Sequence, residues 1–102
     1  MSYIEENRVF DRQYGTEIAF VEGNRILNRQ YGDEIAFIES NRVLNRQYGD
    51  EIGFIEGNRI LSRQYGDEVG AVSEAKSKFL HRDDYVSVAL YILAKTGKIQ
   101  AS

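Results

Sequence analysis

A tandem repeat of 17 residues constrains the fold of this chain more than any other feature of its sequence. A half unit covers residues 1–6, and four full units follow at 7–23, 24–40, 41–57 and 58–74. Seven of the 17 positions are identical in all four units: the opening Asn, both Arg, the Gln, the Tyr, the Gly after it and the first Glu. Recent duplication suffices to explain this identity, so an unvarying residue is not by itself evidence of function.

Each unit contains two short runs rich in β-branched and aromatic residues, separated by turn-forming pairs. In the second unit the runs cover residues 25–31 and 34–39, and they are followed by Gly32-Asp33 and Ser40-Asn41. Gly-Asp and Gly-Asn pairs between apolar runs indicate two-residue β-hairpin turns. A helical interpretation is weaker, because each glycine costs about 1 kcal/mol in a helix interior. The repeat therefore predicts antiparallel hairpins.

The pairing across the Gly23-Asn24 turn makes this prediction specific. A two-residue turn there places three pairs opposite each other: Glu22 and Arg25, Val21 and Ile26, and Phe20 and Leu27. One pair has opposite charges and two are apolar, which are combinations that stabilise neighbouring strands. The register is thus predicted along with the hairpin.

The odd length of the unit is a problem for a simple meander sheet. Side chains alternate between the two faces of a strand, so equivalent residues would change faces from one unit to the next. A β-bulge in each unit restores the face, a β-solenoid with one coil per repeat avoids the problem, and a partner could cover two apolar faces. The solenoid stacks like charges about 4.8 Å apart. We therefore predict an antiparallel meander with the solenoid as the alternative, and we favour the partner as the answer to the parity problem.

The C-terminal segment, residues 75–102, is predicted to form one or two helices that either cap the sheet or join copies of the chain. The whole chain is predicted to be a single domain. Ser73 is a candidate N-cap for a first helix, and Asp83 for a second, which Lys95 and Gly97 end. The second helix is apolar around more than half its circumference, so it is expected to bury two faces against the sheet or a second copy. The candidate oligomer-interface residues are Tyr85, Val88, Leu90 and Ile92.

Composition and charge narrow the classes of function. Residues 7–74 carry eight Arg against twelve Asp and Glu, whereas residues 75–102 carry five basic side chains against two acidic ones. An acidic array argues against nucleic acid as a partner. No apolar run is long enough for a bilayer and the start lacks a signal pattern, so we expect no membrane association and a soluble, cytoplasmic protein.

Candidates for chemistry are few. His81 and Asp83 could form an acid/base dyad, but a lone histidine in a charged helix junction is usually solvated or a cap. The repeated Gly-Asp-Glu, as at residues 32–34, offers two carboxylates, too few for the six to eight oxygen ligands of calcium. No nucleotide-binding, metalloprotease or nucleophile-elbow motif occurs. We expect no enzyme activity, no metal and no cofactor.

Two functional hypotheses remain. The first is a structural or protein-interaction repeat module that self-associates, with a dimer favoured. The second is a multivalent module that binds a sugar, an acidic peptide or a phosphate through the Arg, Gln and Tyr side chains near the turns of each repeat, such as Arg29, Gln30 and Tyr31. Its candidate residues are the repeated Arg and Tyr: Arg12, Arg29, Arg46, Arg63, Tyr14, Tyr31, Tyr48 and Tyr65.

Overall fold

A computed structural model describes residues 3–99, which form one antiparallel meander sheet of nine strands followed by two helices. The strand order in the sheet is the order in the sequence, and the two edge strands do not pair with each other. The predicted meander is therefore confirmed, and the solenoid does not form. The strands are β1 (Tyr3–Glu5), β2 (Arg8–Phe10), β3 (Glu17–Glu22), β4 (Arg25–Leu27), β5 (Glu34–Glu39), β6 (Arg42–Leu44), β7 (Glu51–Glu56), β8 (Arg59–Leu61) and β9 (Glu68–Ala71); the helices are α1 (Val72–Lys78) and α2 (Asp84–Lys95).

The two-residue turn at Gly23-Asn24 joins β3 to β4 in the predicted register. Glu22 faces Arg25, and Val21 and Phe20 face the next two residues of β4. The same register recurs between β5 and β6 and between β7 and β8. The register that was predicted from one charge pair and two apolar pairs is thus confirmed.

A β-bulge in every unit solves the parity problem. The register shifts between Ile26 and Leu27, which face Ala36 and Glu34, so Ile35 is an extra residue in β5. The same shift occurs at the other three junctions of a short strand with the following long one. The extra residues Ile18, Ile35, Ile52 and Val69 all pack against the core. The bulge keeps equivalent residues on one face, so the favoured answer, a partner, is wrong on this point.

The predicted second turn is also wrong. The strand expected over residues 25–31 ends at Leu27, and residues 28–33 form a six-residue loop in place of a two-residue turn at Gly32-Asp33. Hydrogen bonds close the loop: the Asn28 N–H donates to the Asp33 carbonyl at 2.9 Å, and the Gly32 N–H donates to the Arg29 carbonyl at 2.9 Å. The equivalent loops of the other units are residues 11–16, 45–50 and 62–67.

Helix α2 packs against one face of the sheet. Asp83 caps it by accepting a hydrogen bond from the Tyr85 N–H at 2.9 Å, as predicted, and Gly97 follows its end with a φ of 80°. Eight consecutive residues, 86–93, are all buried. A helix is buried around its whole circumference only when it is surrounded, so the sheet and α1 enclose α2. One core cluster joins these residues to strands from β2 to β8, and each buried Val, Leu or Ile contributes about 1.5–3 kcal/mol.

Helix α1 differs from its prediction. It begins at Val72 and its N-cap is Ala71, whose side chain cannot cap it, so Ser73 is not the cap. The chain passes directly from β9 into the helix, and the side-chain oxygen of Asn58 accepts a hydrogen bond from the Ser73 N–H in the first turn at 3.0 Å. The buried Ser87 of α2 donates to the Phe79 carbonyl at 2.6 Å and fixes the junction between the helices.

Three of the four predicted oligomer-interface residues lie in the interior of the chain. Val88 and Leu90 have no exposed surface and Ile92 is 3% exposed, so a second copy has no access to them. Only Tyr85 is at the surface. The two apolar faces of α2 are covered by the chain's own sheet and by α1. Neither helix within residues 3–99 is long and apolar enough to cross a membrane.

Candidate functional site

The four loops present their tyrosines in the same unusual way. Tyr14, Tyr31, Tyr48 and Tyr65 have φ angles of 63–64°, in the left-handed region that favours Gly and Asn. Their exposed fractions are 95%, 91%, 88% and 91%. A tyrosine beside a turn usually packs against its neighbours, but among residues 3–99 these four bury little of their surface. Each therefore carries a backbone cost of roughly 1–2 kcal/mol that packing within the described part of the chain offsets only slightly.

The loops that hold these tyrosines are tied down at both ends. The Asn28 side chain accepts a hydrogen bond from the Asp33 N–H at 3.0 Å, and Asn45 and Asp11 do the same in their own loops. A Cβ at Gly32 would overlap the Asn28 side-chain oxygen, so only glycine fits after the tyrosine. The tyrosine ring is thus displayed from a fixed backbone.

The second, third and fourth loops are also fastened to the unit before them. The Gln30 N–H donates to Glu17 at 3.3 Å, and Gln47 and Gln64 donate to Glu34 and Glu51 at 2.8 and 2.7 Å. The side chains of these glutamates are 18–19% exposed. Glu68, which no loop follows, is 53% exposed. The invariant Glu therefore joins consecutive units through the loop.

Alternating charges line the face of the sheet that the helices leave free. Arg25 contacts Glu22 at 3.5 Å in the preceding strand and Glu34 at 3.6 Å in the following strand. Arg42 and Arg59 lie between two glutamates in the same manner. Exposed pairs of this kind contribute at most about 1 kcal/mol each. Their main effect is to neutralise every arginine of the row.

A cleft of about 410 Å³ lies on this face, between one hairpin and the loop that follows it. Phe20 and Tyr31 supply two aromatic rings, and Leu27, 4% exposed, forms an apolar base. The remaining lining residues are the Glu22–Arg25 ion pair, Gln30 and Gly32. The cleft thus combines a freely exposed ring with several planar polar groups.

The seven residue positions that line the cleft beside Tyr31 recur four times in the sequence. In the first set Tyr3 takes the place of Phe20 and Phe10 takes the place of Leu27, with ring centroids 6.2 Å apart, and the set is completed by the half unit that opens the array. In the last unit Ala71 and Ser73 replace the Phe and Glu that would begin a fifth set. The chain enters α1 at that point, and no loop follows. An aromatic residue and a Glu at these two positions are therefore present in each of the four sets that include a loop.

The structure divides the predicted ligand-binding residues into two groups. Tyr31 and Gln30 line the cleft, whereas Arg29 does not. Arg12, the counterpart of Arg29 in the first unit, is 70% exposed and contacts Asp11 at 3.4 Å. Arg25, the first arginine of its unit, lines the cleft in place of Arg29. Sequence reasoning missed Arg25 and Phe20, although the loss of Phe and Glu in the last unit was a usable signal.

The other candidate groups are engaged in the helix junction. The Nδ1 atom of His81 accepts a hydrogen bond from the Asp83 N–H at 3.0 Å, while the Asp83 carboxylate caps α2. Burial lowers the pKa of His81, and the charge of Asp83 opposes this. A larger cleft of about 840 Å³ includes Asp83 and Asp84, but Asp84 pairs with Lys76 at 3.2 Å. Among residues 3–99, no three His, Asp or Glu side chains form a group that could hold a metal.

Comparison with known proteins gives no relative. The chain matches no family model, no curated protein and no solved structure.

Proposed function

We propose that this protein is a non-enzymatic interaction module that binds a partner through the cleft beside Tyr31 and the three equivalent sets of residues in the other units, each marked by an exposed tyrosine. The supporting observation is the set of tyrosines that are 88–95% exposed in a left-handed backbone conformation. Such residues cost stability and gain no packing, so a contact outside the chain is the natural reason for them. Tyr is also enriched in protein interfaces, because it offers a large rigid surface with few rotatable bonds.

Repetition supports the same proposal. Four weak sites on one body bind a repetitive or clustered partner far more tightly than one site does, and the gain reaches about 10² to 10⁴. The meander provides this without new chemistry, because each additional unit adds one more cleft. Self-association remains part of the proposal only through these exposed tyrosines, since most of the predicted interface residues of α2 are buried.

An array experiment tests the proposal. The labelled full chain is applied to immobilised neutral glycans, anionic glycans and acidic, basic and proline-rich peptides, and light scattering over a concentration series tests a second copy as the partner. We expect binding to at least one class, and a loss of about 100-fold when Tyr14, Tyr31, Tyr48 and Tyr65 are all changed to Asn. Asn accepts the left-handed conformation, so the loops stay folded.

The matched control is Tyr85→Asn, the same chemical change on a tyrosine that is 40% exposed and does not line the cleft beside Tyr31. Binding should be unaffected by it. The proposal is overturned if no class binds and the chain stays monomeric, or if binding survives the four substitutions.

A further inference from the structure

We propose that each cleft takes a sugar unit of a neutral glycan, an inference that rests on the proposed function and specifies its ligand. Three properties of the cleft containing Tyr31 support it: the exposed ring, the planar polar groups around it and the cancelled charge. The volume of about 410 Å³ lies at the lower end of small-molecule sites, which span roughly 300–1,000 Å³.

The ring and the polar groups match the two chemical faces of a hexopyranose. One face of such a sugar presents C–H groups that pack flat on an aromatic ring, and Tyr31 offers its ring almost entirely to solvent. The sugar's edge carries adjacent hydroxyl groups, each both a donor and an acceptor. Arg25, Glu22 and Gln30 supply planar groups whose donors and acceptors fit such adjacent hydroxyls.

The charges around the cleft argue against anionic ligands. Arg25 already lies between Glu22 at 3.5 Å and Glu34 at 3.6 Å. A phosphate, a sulfated sugar or an acidic peptide at this arginine would meet more negative than positive charge. The acidic-peptide and phosphate versions of the multivalent hypothesis are therefore disfavoured, and the sugar version remains.

The shallow base argues against an apolar peptide. Leu27 is 4% exposed and the half-buried Phe20 is the only other apolar lining residue besides Tyr31, so an apolar side chain would bury little surface. A glycan with a regular repeat, in contrast, can place several sugars in neighbouring clefts, and each small contact adds to the total affinity.

Chemical-shift mapping tests the inference. The ¹⁵N-labelled full chain is titrated with cellohexaose, maltohexaose and chitohexaose, and in parallel with a heparin-derived hexasaccharide, hexaglutamate and hexalysine. We expect a neutral hexasaccharide to shift the amide signals of the four cleft glycines: Gly15, Gly32, Gly49 and Gly66. Its dissociation constant should change less than about twofold between low and high salt, because no ionic contact is made.

The four-tyrosine Asn variant should weaken this binding by about tenfold or more. Tyr31→Asn alone gives a second, milder variant with one cleft altered, and only the Gly32 signal should then lose its shift. If hexalysine or an anionic probe shifts the glycine signals and the neutral sugars do not, the glycan inference is wrong and the proposed function stands. If no probe shifts them, the glycan inference is likewise wrong, and the array decides the proposed function separately.

Discussion

The units of the repeat differ from one another on the helix side of the sheet at a position where the loops of the free side show no comparable change in their Arg, Gln, Tyr and Gly. On the helix side one position reads Ala19, Ala36, Gly53 and Gly70, so it changes along the array. On the free side the loops keep their Arg, Gln, Tyr and Gly in every unit. Helix α2 meets Gly53 and Gly70 with different side chains, whereas the tyrosines of the loops stay 88–95% exposed among residues 3–99. A repeat thus diverges where it must fit an asymmetric neighbour.

The glycines show this fit in detail. A Cβ at Gly70 would lie 2.7 Å from Cε2 and 2.8 Å from Oη of Tyr91. A Cβ at Gly53 would overlap the terminal methyl group of Ile92. Both side chains belong to α2, so the second half of the array is shaped by the helix that it encloses.

The largest expected effect comes from alkaline pH acting on the helix side. Burial, and then the hydrogen bond and charge of Glu74, raise the pKa of Tyr91 to about 12 from its ordinary 10. The folded state therefore holds this proton more tightly than the unfolded state. Its contribution is complete below pH 10 and is lost as the pH rises to about 12, a change of roughly 3 kcal/mol in the free energy of unfolding.

Denaturant unfolding at a series of alkaline pH values measures this change, and Tyr91→Phe should remove most of it. Tyr31→Phe is the matched control on the free side and should leave the pH dependence intact. An unchanged alkaline loss in Tyr91→Phe would show that another group is responsible.

The next effect concerns the glycines on the helix side. Gly70→Ala should destabilise the fold by about 2 kcal/mol, because the Tyr91 ring must move. Gly53→Ala should cost about 1 kcal/mol, since the end of the Ile92 side chain can rotate away. Thermal and urea unfolding of each variant gives these values.

This prediction opposes the rule that making repeats more alike stabilises them. Both substitutions restore the Ala of the first two units, and Gly→Ala ordinarily raises stability by about 0.4–1 kcal/mol through the unfolded chain. Ala36→Gly is the reverse control and should cost roughly 1 kcal/mol, as glycine in a strand does. A stabilised Gly70→Ala variant would contradict the close fit to the helix.

The smallest expected effect concerns the free side of the sheet, where a substitution should raise the free energy of unfolding instead of lowering it. Tyr31→Asn should raise the free energy of unfolding by about 0.5–1 kcal/mol, because Asn adopts a φ of 63° more readily and no contact is lost. Urea unfolding measures it, with Tyr31→Phe as a control that keeps the ring. A destabilised Asn variant would mean that the ring supports the fold, and the argument for an external contact would lose its basis.

Much of the fold could be predicted because its signals are local. The Glu22–Arg25 register follows from a two-residue turn and cross-strand chemistry, and α2 follows from Asp83, Lys95 and Gly97. The loop at residues 28–33 could not be predicted in the same way. The Gly-Asp pair resembles a hairpin turn, but the Asn28 side chain and the constraint at Gly32 favour a longer closed loop.

The candidate site was predicted only in part for a related reason. Tyr31 was predicted to act together with Arg29 and Gln30, its neighbours in the same unit. The cleft instead joins Tyr31 to Arg25 and to Phe20 of the preceding unit. Contacts between units depend on the loop folding over the sheet, and spacing along the sequence does not reveal that.

The sequence by itself determined the repeat, the hairpin register, the capped helix and the absence of a fifth set of cleft residues. These features rest on turns, caps and neighbouring strands, where the interacting residues are close in the chain. Only the tertiary structure decided that a bulge at Ile35 keeps one face inward, that the sheet and α1 bury α2, and that the tyrosines stay almost fully exposed. These features depend on which surfaces remain uncovered once the sheet has packed against its helices, and no local pattern contains that information.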